Sequence, residues 1–334
     1  MNIDIVLATF NGELYLEEQI KSIQNNSVYK ECVARVIVVD DGSTDKTAEI
    51  VHWLARSDAK IEWLLNTSGK HGPSSNFAFG LAQTTSQYIM LSDQDDIWHP
   101  EKIALSIAKI TQLADEKAIH QEKKAQAKTN NTPLLVFSDK EIVDEKLQLI
   151  SKSYFELKNI PPNWYLSFDQ LCQQNIISGC TMCFNRALLD KAMPIPQQAY
   201  MHDWWLALVA SRCGKIALIE KPLIKYRQHA NNSIGAQKRS KLSLFSKFFH
   251  YLNKFEQNFY AVTEQAKAFS TFEKNNNIKP NQTINALSKI EQLSRYNRLA
   301  LFVKKVITRS NFSGRMGLLI VLIKIKIKNG TEAK

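Results

Sequence analysis

Val33-Ala34-Arg35-Val36-Ile37-Val38-Val39-Asp40-Asp41-Gly42-Ser43-Thr44-Asp45 carries a β-branched stretch into a polar turn, and the helical pattern Ala48 to Leu54 follows. The same unit recurs on either side. Ile3 to Thr9 leads to Leu14 to Ile23, Ile61 to Leu65 leads to Phe77 to Leu81, and Tyr88 to Leu91 leads to Ile103 to Ile110. Short strands that are apolar at consecutive positions and alternate with helices predict βαβ units and a parallel sheet covered on both faces. Pro73 and Pro100 stand where a first helical turn should begin, and Ser43-Thr44-Asp45 offers an N-cap to the second helix.

The chain has 334 residues, 44% of them apolar and 22% charged, with 11 Gly and 9 Pro, which excludes disordered, collagenous and low-complexity classes. Its length supports one large core with an appendage, or two domains. The net charge of +11 is unevenly placed: residues 236 to 334 hold 19 basic and 5 acidic residues, a balance of +14, whereas 1 to 235 carry −3. A basic appendage on a near-neutral domain suits a polyanion, either an anionic membrane surface or a nucleic acid. The longest apolar run, Met316 to Ile323, is too short to span a bilayer. Cys32, Cys172, Cys180, Cys183 and Cys213 are odd in number and lie in apolar segments, and the chain opens directly into Ile3-Asp4-Ile5 without a leader pattern. A reduced, cytoplasmic protein that keeps its N-terminus is expected.

Beyond the polar stretch Gln121 to Thr132, strands are expected at Leu134 to Ser138, Ser178 to Phe184, Ile216 to Ile219 and Leu223 to Tyr226, with a helix around Asp203 to Arg212. From Lys238 the pattern becomes helical. Phe245, Phe248, Phe249, Leu252, Phe255, Phe259 and Val262 recur on one helix face, and a second helical pattern runs from Ile284 to Val303. Charge and period both change near residue 236, so the expected organisation is an α/β domain over 1–235 and a basic helical region over 236–334.

Ligands of open α/β sheets bind outside the C-terminal ends of the strands. Here those ends carry acids: Asp40-Asp41-Gly42-Ser43 after the second strand and Ser92-Asp93-Gln94-Asp95-Asp96 after the fourth. Asp93 and Asp95, two apart on extended chain, point the same way and suit Mg²⁺ or Mn²⁺, which complete their shells with water and substrate phosphates. Helix capping is the plainer reading of either cluster alone. Neither GxGxxG nor GxxxxGK[ST] occurs, which argues against dinucleotide oxidoreductases and P-loop NTPases. Asp203, in Met201-His202-Asp203-Trp204-Trp205, is an N-cap or a general base for a sugar hydroxyl, with Trp204 and Trp205 offering a stacking wall. His229 is a second candidate metal ligand. Cys180 and Cys183, a lone CxxC in an apolar segment, read as buried thiols.

Leu7-Ala8-Thr9-Phe10-Asn11-Gly12-Glu13, Val38 to Asp45, Ser92-Asp93-Gln94-Asp95-Asp96-Ile97-Trp98, Ser178-Gly179-Cys180-Thr181, His202-Asp203-Trp204-Trp205 and Tyr226-Arg227-Gln228-His229 together resemble the ordered signatures of family 2 glycosyltransferases, most of all the bacterial rhamnosyltransferase-like branch. The resemblance covers residues 3 to 235. It implies a GT-A fold, a Rossmann-like mixed α/β sheet, acting on a nucleotide-diphosphate sugar with a divalent metal and inverting the anomeric carbon. Thr9, Asn11, Asp40 and Asp41 would line the nucleoside pocket, with Asp40 accepting the base imide N–H and Asn76 as a further contact. Asp93 and Asp95 would hold the ribose and the metal-bound diphosphate, and Asp203 would be the catalytic base. His202 stands where the family usually has an acid, and with Trp204 and Trp205 is an acceptor-side candidate.

The resemblance implies rhamnose from dTDP-rhamnose, with UDP-hexoses second; a lipid-linked or surface-glycan acceptor is expected from the C-terminal region. No nucleic-acid partner is expected. The basic, aromatic-rich C-terminal region suits peripheral binding at the inner membrane face. A sugar nucleotidyltransferase and a non-catalytic basic binding module are the competing readings; the first lacks its Gly-rich phosphate loop, since Phe10-Asn11-Gly12-Glu13 has no basic residue.

Overall fold

β1 (Ile3–Thr9), β2 (Val33–Asp40), β3 (Ile61–Leu65) and β4 (Tyr88–Asp93) lie side by side and parallel in the computed structural model, which describes residues 1–115, 131–229 and 244–325. Their crossovers contain α1 (Leu16–Gln24), α2 (Tyr29–Cys32), α3 (Thr47–Ala55) and α4 (Pro73–Leu81). Consecutive apolar residues serve two helix layers. Ile5, Leu7, Val36 and Val38 join Leu16, Ile20 and Ile23 in one core, while Val6 and Val39 face α4. That helix comes so close that a Cβ on Gly80 would sit 2.5 Å from a Val39 methyl carbon.

After β5 (Ile97–Trp98) and α5 (Lys102–Asp115), the sheet is completed by β6 (Leu134–Ser138), β9 (Cys183–Asn185) and β10 (Lys215–Ile219), giving the order β10-β6-β9-β4-β1-β2-β3. β9 is antiparallel to both neighbours, so the sheet is mixed. A smaller sheet, β5-β11-β7-β8, adds β7 (Glu141–Val143), β8 (Leu149–Ser151) and β11 (Ile224–Arg227). The elements α6 (Tyr154–Lys158), α7 (Phe168–Leu171), α8 (Arg186–Ala192) and α9 (His202–Cys213) fill the later connections.

Local chemistry moved several expected boundaries. Over Ser178 to Phe184 the chain is not one strand: Gly179–Thr181 forms a 3-10 turn before β9 begins, because the Gly179 N–H turns to Asp203 rather than to a neighbouring strand. Asp45 does accept from the Thr47 N–H at 3.0 Å, but the residue at the N-cap position of α3 is Lys46. The pattern Ile284 to Val303 is two helices, α11 (Gln282–Ser288) and α12 (Arg295–Val303), the second started by Ser294, whose Oγ accepts from the Asn297 N–H at 3.2 Å.

The described residues fall into two compact units. The first holds both sheets, and the second gathers Asn159–Ile176 and Pro196–Tyr200 with the helices from α10 (Leu244–Asn275) through α11 and α12 to α13 (Phe312–Lys324). Within the second unit Gln173 donates to the Val306 carbonyl at 3.1 Å and accepts from the Thr308 N–H at 2.6 Å, tying the earlier segment to the later helices. The described part of the expected apolar stripe is interior: Leu252, Phe259 and Val262 are buried, and the half-buried Phe255 ring lies 3.3 Å from where a Gly317 Cβ would be. Such residues hold helices together and are not available to a lipid surface. The boundary at residue 236, the side chains of Phe245, Phe248 and Phe249, and Lys326 and Lys328 lie outside the described residues. Among those described, no helix is long and apolar enough to cross a membrane.

Candidate active site

Adjacent parallel strands end together. Thr9 pairs with Asp40 and Ala8 with Asp93 across β1, β2 and β4, which brings three strand ends to one edge. Because β9 is antiparallel to both β4 and β6, β6 ends at that edge too, delivering Asp139 and Lys140. Next to this edge a cavity of about 440 Å³ is lined by Thr9, Asp41, Asn76, Asp93, Asp95, His202 and Asp203 among the expected residues, and by Lys140, Tyr154 and Tyr226 among those not foreseen.

At one end, Thr9 Oγ1 donates to Gln94 Oε1 at 2.7 Å, and the Phe10 N–H donates to the same oxygen. Gly12 leaves room for that amide, since a Cβ there would lie 2.5 Å from Gln94 Oε1. Asp41 accepts from the Gly72 N–H at 2.6 Å and from Asn66 at 3.1 Å while still lining the cavity. Asn76 donates to the Val39 carbonyl at 2.8 Å, and its own buried Oδ1 has no partner.

Two expected contacts do not reach the cavity wall. Asp40 is 1% exposed and turns inward, one oxygen accepting from the Ser43 N–H at 2.9 Å and Oγ at 2.6 Å, so it builds the turn instead of presenting a carboxylate to a base. Gly42, at φ 90°, supplies the left-handed backbone that turn requires. Asn11, itself at φ 47°, accepts from the Thr44 N–H at 2.9 Å and fastens the β1 loop to the β2 turn.

The middle of the cavity is acidic. Burial, then the neighbouring Asp95 charge, hold the Asp93 carboxyl above the usual carboxylate range. Asp96 is fully buried, lies with Asp93 and Cys180 in one cluster of potential ligand atoms, and is pushed higher by burial and by both neighbouring acids. Asp95 Oδ2 lies 2.8 Å from His229 Nε2, so the structure pairs His229 with this group although His229 does not itself line the cavity. Arg227 Nε donates to the Asp95 carbonyl at 2.9 Å and its Nη2 pairs with Glu18, fixing the acidic turn to α1.

Asp203 sits in the first turn of α9, after the N-cap residue Met201. Its Oδ2 accepts from the Gly179 N–H at 2.9 Å. Burial pushes the carboxyl up to about 6, with the Gly179 bond pulling the other way. His202 stacks on Phe77 at 4.1 Å, and burial pulls its imidazole down to about 3, so it is neutral at physiological pH. The expected stacking wall is absent at Trp204 and Trp205: both are buried off the cavity, and Trp205 Nε1 donates to the Ala192 carbonyl at 2.9 Å. Side chains one and two positions beyond Asp203 point to other faces of the helix, into the core. Cys180 and Cys183 are buried free thiols, as expected, with burial raising both.

Applying the strand-end rule to Leu134–Ser138 as it was applied to the first and fourth strands would have singled out Lys140. Tyr226 lay inside a quoted motif. Nothing local in the sequence marks Tyr154.

The chain belongs to glycosyl transferase family 2, whose model matches residues 4–173. Among curated relatives it is 34% identical over 118 residues to the GalNAc(5)-diNAcBac-PP-undecaprenol beta-1,3-glucosyltransferase of Campylobacter jejuni, covering 35% of this chain but only 36% of that protein. It is 26% identical over 235 residues to the dTDP-rhamnosyl transferase RfbG of Shigella flexneri, covering 69% of this chain and 74% of that one. Among solved structures, the fold is similar to S. aureus TarS residues 1–349 in complex with UDP-GlcNAc, with TM-score 0.55 and 17% identity over 97% of this chain and 91% of that one.

Proposed function

We propose that the protein is an inverting, metal-assisted glycosyltransferase that moves rhamnose from dTDP-rhamnose to a hydroxyl of a lipid-linked or surface glycan. The observation that carries this reading is the Asp203 carboxyl, raised to about 6, lining the same cavity as the strand-end acids Asp93 and Asp95. A base of that strength is ionised near pH 7 yet basic enough to take a hydroxyl proton as the oxygen attacks. Asp203 then accepts the acceptor proton while the anomeric carbon is attacked from the face opposite the diphosphate, and a single displacement inverts the centre. Asp41 and Asn76 offer a carboxylate and an unpartnered carbonyl to the nucleoside.

The donor set fits a hard divalent cation. Asp93 is held above its usual range by burial and by Asp95, and a nearby cation would reverse that penalty. Asp93, Asp95 and His229 would hold Mg²⁺ or Mn²⁺, which when bound neutralises charge on the leaving diphosphate. The Shigella relative's name supports rhamnose, and the Campylobacter relative's supports a polyprenol-linked acceptor. A UDP-hexose is the second donor reading.

A cytoplasmic, peripheral position on the inner membrane face suits that acceptor. Within the second unit Phe312, Met316 and Ile323 are exposed on α13 at helical spacing, beside Arg315 and Lys324, which suits an anionic surface. A donor panel tests the function: nucleotide release from dTDP-rhamnose and UDP-hexoses with Mn²⁺ and a lipid-linked acceptor fraction. Release from dTDP-rhamnose is expected; release from none of them rejects the reading.

A further inference from the structure

The cavity contains a buried cation that the reaction as written above does not use. Lys140 is only 6% exposed, yet among the described residues its ammonium forms no ion pair with a carboxylate. Its one hydrogen bond among the described residues goes to Ser178 Oγ at 2.9 Å. The remaining faces are aromatic: the Tyr226 ring centroid lies 3.9 Å from Nζ and the Tyr154 centroid 4.6 Å. An ammonium has three donors, and rings satisfy charge without accepting conventional hydrogen bonds. Donor capacity therefore remains at the wall of a polar cavity.

The surroundings keep this side chain charged and fixed. Burial by itself would lower its proton affinity, but Cys180 and Tyr154, and after them Asp96 and Asp93, raise it on balance. Asp139 holds the cage shut: its Oδ1 accepts from the Lys140 N–H at 2.8 Å and from the Tyr154 N–H at 3.2 Å, while its Oδ2 accepts from Ser153 Oγ at 2.5 Å. Ser178 immediately precedes Gly179, whose N–H orients Asp203. Lys140 is thus linked to the proposed base through Ser178 and Gly179, and it lines the same cavity as Asp93 and Asp95.

Asp93 and Asp96 offset the burial of this cation without forming an ion pair with it, and its remaining donors at the cavity wall suit an anionic acceptor. Resting on the functional reading above, we propose that Lys140 is a phosphate-binding residue: it donates to a diphosphate oxygen of the nucleotide donor and retains that diphosphate in part without the metal. A preorganised ammonium in a water-poor site binds a developing negative charge more strongly than one in solvent. The caged Lys140 therefore stays on the leaving group as charge builds there. Tyr154 and Tyr226 hold the side chain, and Ser178 sets its direction.

The test is binding of dTDP, UDP, their nucleosides and inorganic pyrophosphate to the full chain, with Mn²⁺ and separately with EDTA, for wild type, Lys140→Met and Lys140→Arg. In EDTA the wild type should prefer the diphosphate over its nucleoside. Lys140→Met should lose about tenfold or more in diphosphate affinity with nucleoside affinity unchanged, and Lys140→Arg should recover most of it. Unchanged nucleoside binding reports an intact fold. A Lys140→Met protein that keeps the diphosphate preference in EDTA overturns the inference, as does equal loss for nucleoside and diphosphate. Loss confined to inorganic pyrophosphate, with dTDP and UDP unchanged, would place an acceptor phosphate at Lys140 and overturn the donor assignment. A wild type that binds no nucleotide even with Mn²⁺ removes the functional reading and this inference together, whereas nucleotide binding by wild type with an indifferent Lys140→Met removes only the inference.

Discussion

Asp203→Asn should disable the reaction and stabilise the protein. The amide keeps an oxygen for the Gly179 N–H, which Asp203 binds at 2.9 Å, so the turn before β9 is preserved. It cannot take a proton from an acceptor hydroxyl, and loss of a positioned base lowers turnover by about 10² to 10⁴. Donor affinity should change little. Stability moves the other way because the Asp203 carboxyl rises from 3.8 to about 6 on folding. The folded protein holds that proton more tightly than the unfolded chain does. The resulting stabilisation is present below the unfolded value and is lost as pH rises through the folded one. Above that window the wild type bears the whole penalty, at most about 3 kcal/mol for a shift of about two pH units. Asn, which never ionises, escapes it. Denaturant unfolding at pH 8 should therefore show Asp203→Asn more stable than wild type, with the difference vanishing below about pH 4, while acceptor-dependent nucleotide release collapses. For wild type the same carboxyl should give an acid limb in kcat/KM, which reports the free enzyme, with an apparent pKa near 6. Normal turnover in Asp203→Asn, or a variant less stable than wild type at pH 8, would refute both the base assignment and the burial argument beneath it.

Asp95→Ala should lose about tenfold or more of its Mn²⁺-dependent donor affinity while its unfolding transition remains cooperative; unchanged affinity with Mn²⁺ would remove Asp95 from the metal site. Trp205→Phe breaks the bond to the Ala192 carbonyl and should cost about 1 kcal/mol of stability. Its turnover should stay within about twofold of wild type, and a large fall in turnover would return Trp205 to the acceptor side. In liposome flotation the protein should enrich on anionic vesicles at low salt, and Phe312→Asp with Met316→Asp should reduce that enrichment. Equal enrichment on neutral vesicles, or no effect of the double substitution, would reject the α13 surface.

The sheet was legible because its strands are buried on both faces, so Ile3 to Thr9 and Val33 to Asp40 read as apolar runs interrupted inside only by Asp4 and Arg35, which pair with each other at 2.9 Å. Acids at the ends of such runs had little choice of place, which is why the ends of β2 and β4 could be read as one acidic edge, whereas the nucleoside role of Asp41 came from the resemblance. Side-chain direction was not legible. Asp40 and Asp41 are neighbours, and only the backbone of the Gly42 turn decides which carboxylate is spent on Ser43 and which meets the cavity. The same holds on α9, where Asp203 lines the cavity while Trp204 and Trp205 turn into the core. Composition told the C-terminal region's charge but not its packing: an aromatic stripe looks the same whether it covers a bilayer or another helix. Lys140 stands just past the end of β6, within reach of the strand-end rule; what took the structure to see is the antiparallel β9, which brings that end to the same edge as β4.

Titration of the wild-type protein with dTDP and with UDP, in Mn²⁺ and in EDTA, tests most directly whether the acidic strand edge is a nucleotide-diphosphate site. Metal-dependent binding of at least one nucleotide, abolished by Asp95→Ala and retained by Asp203→Asn, is the predicted result. Absence of binding to either nucleotide in the presence of Mn²⁺ would contradict the account and favour a non-catalytic basic module.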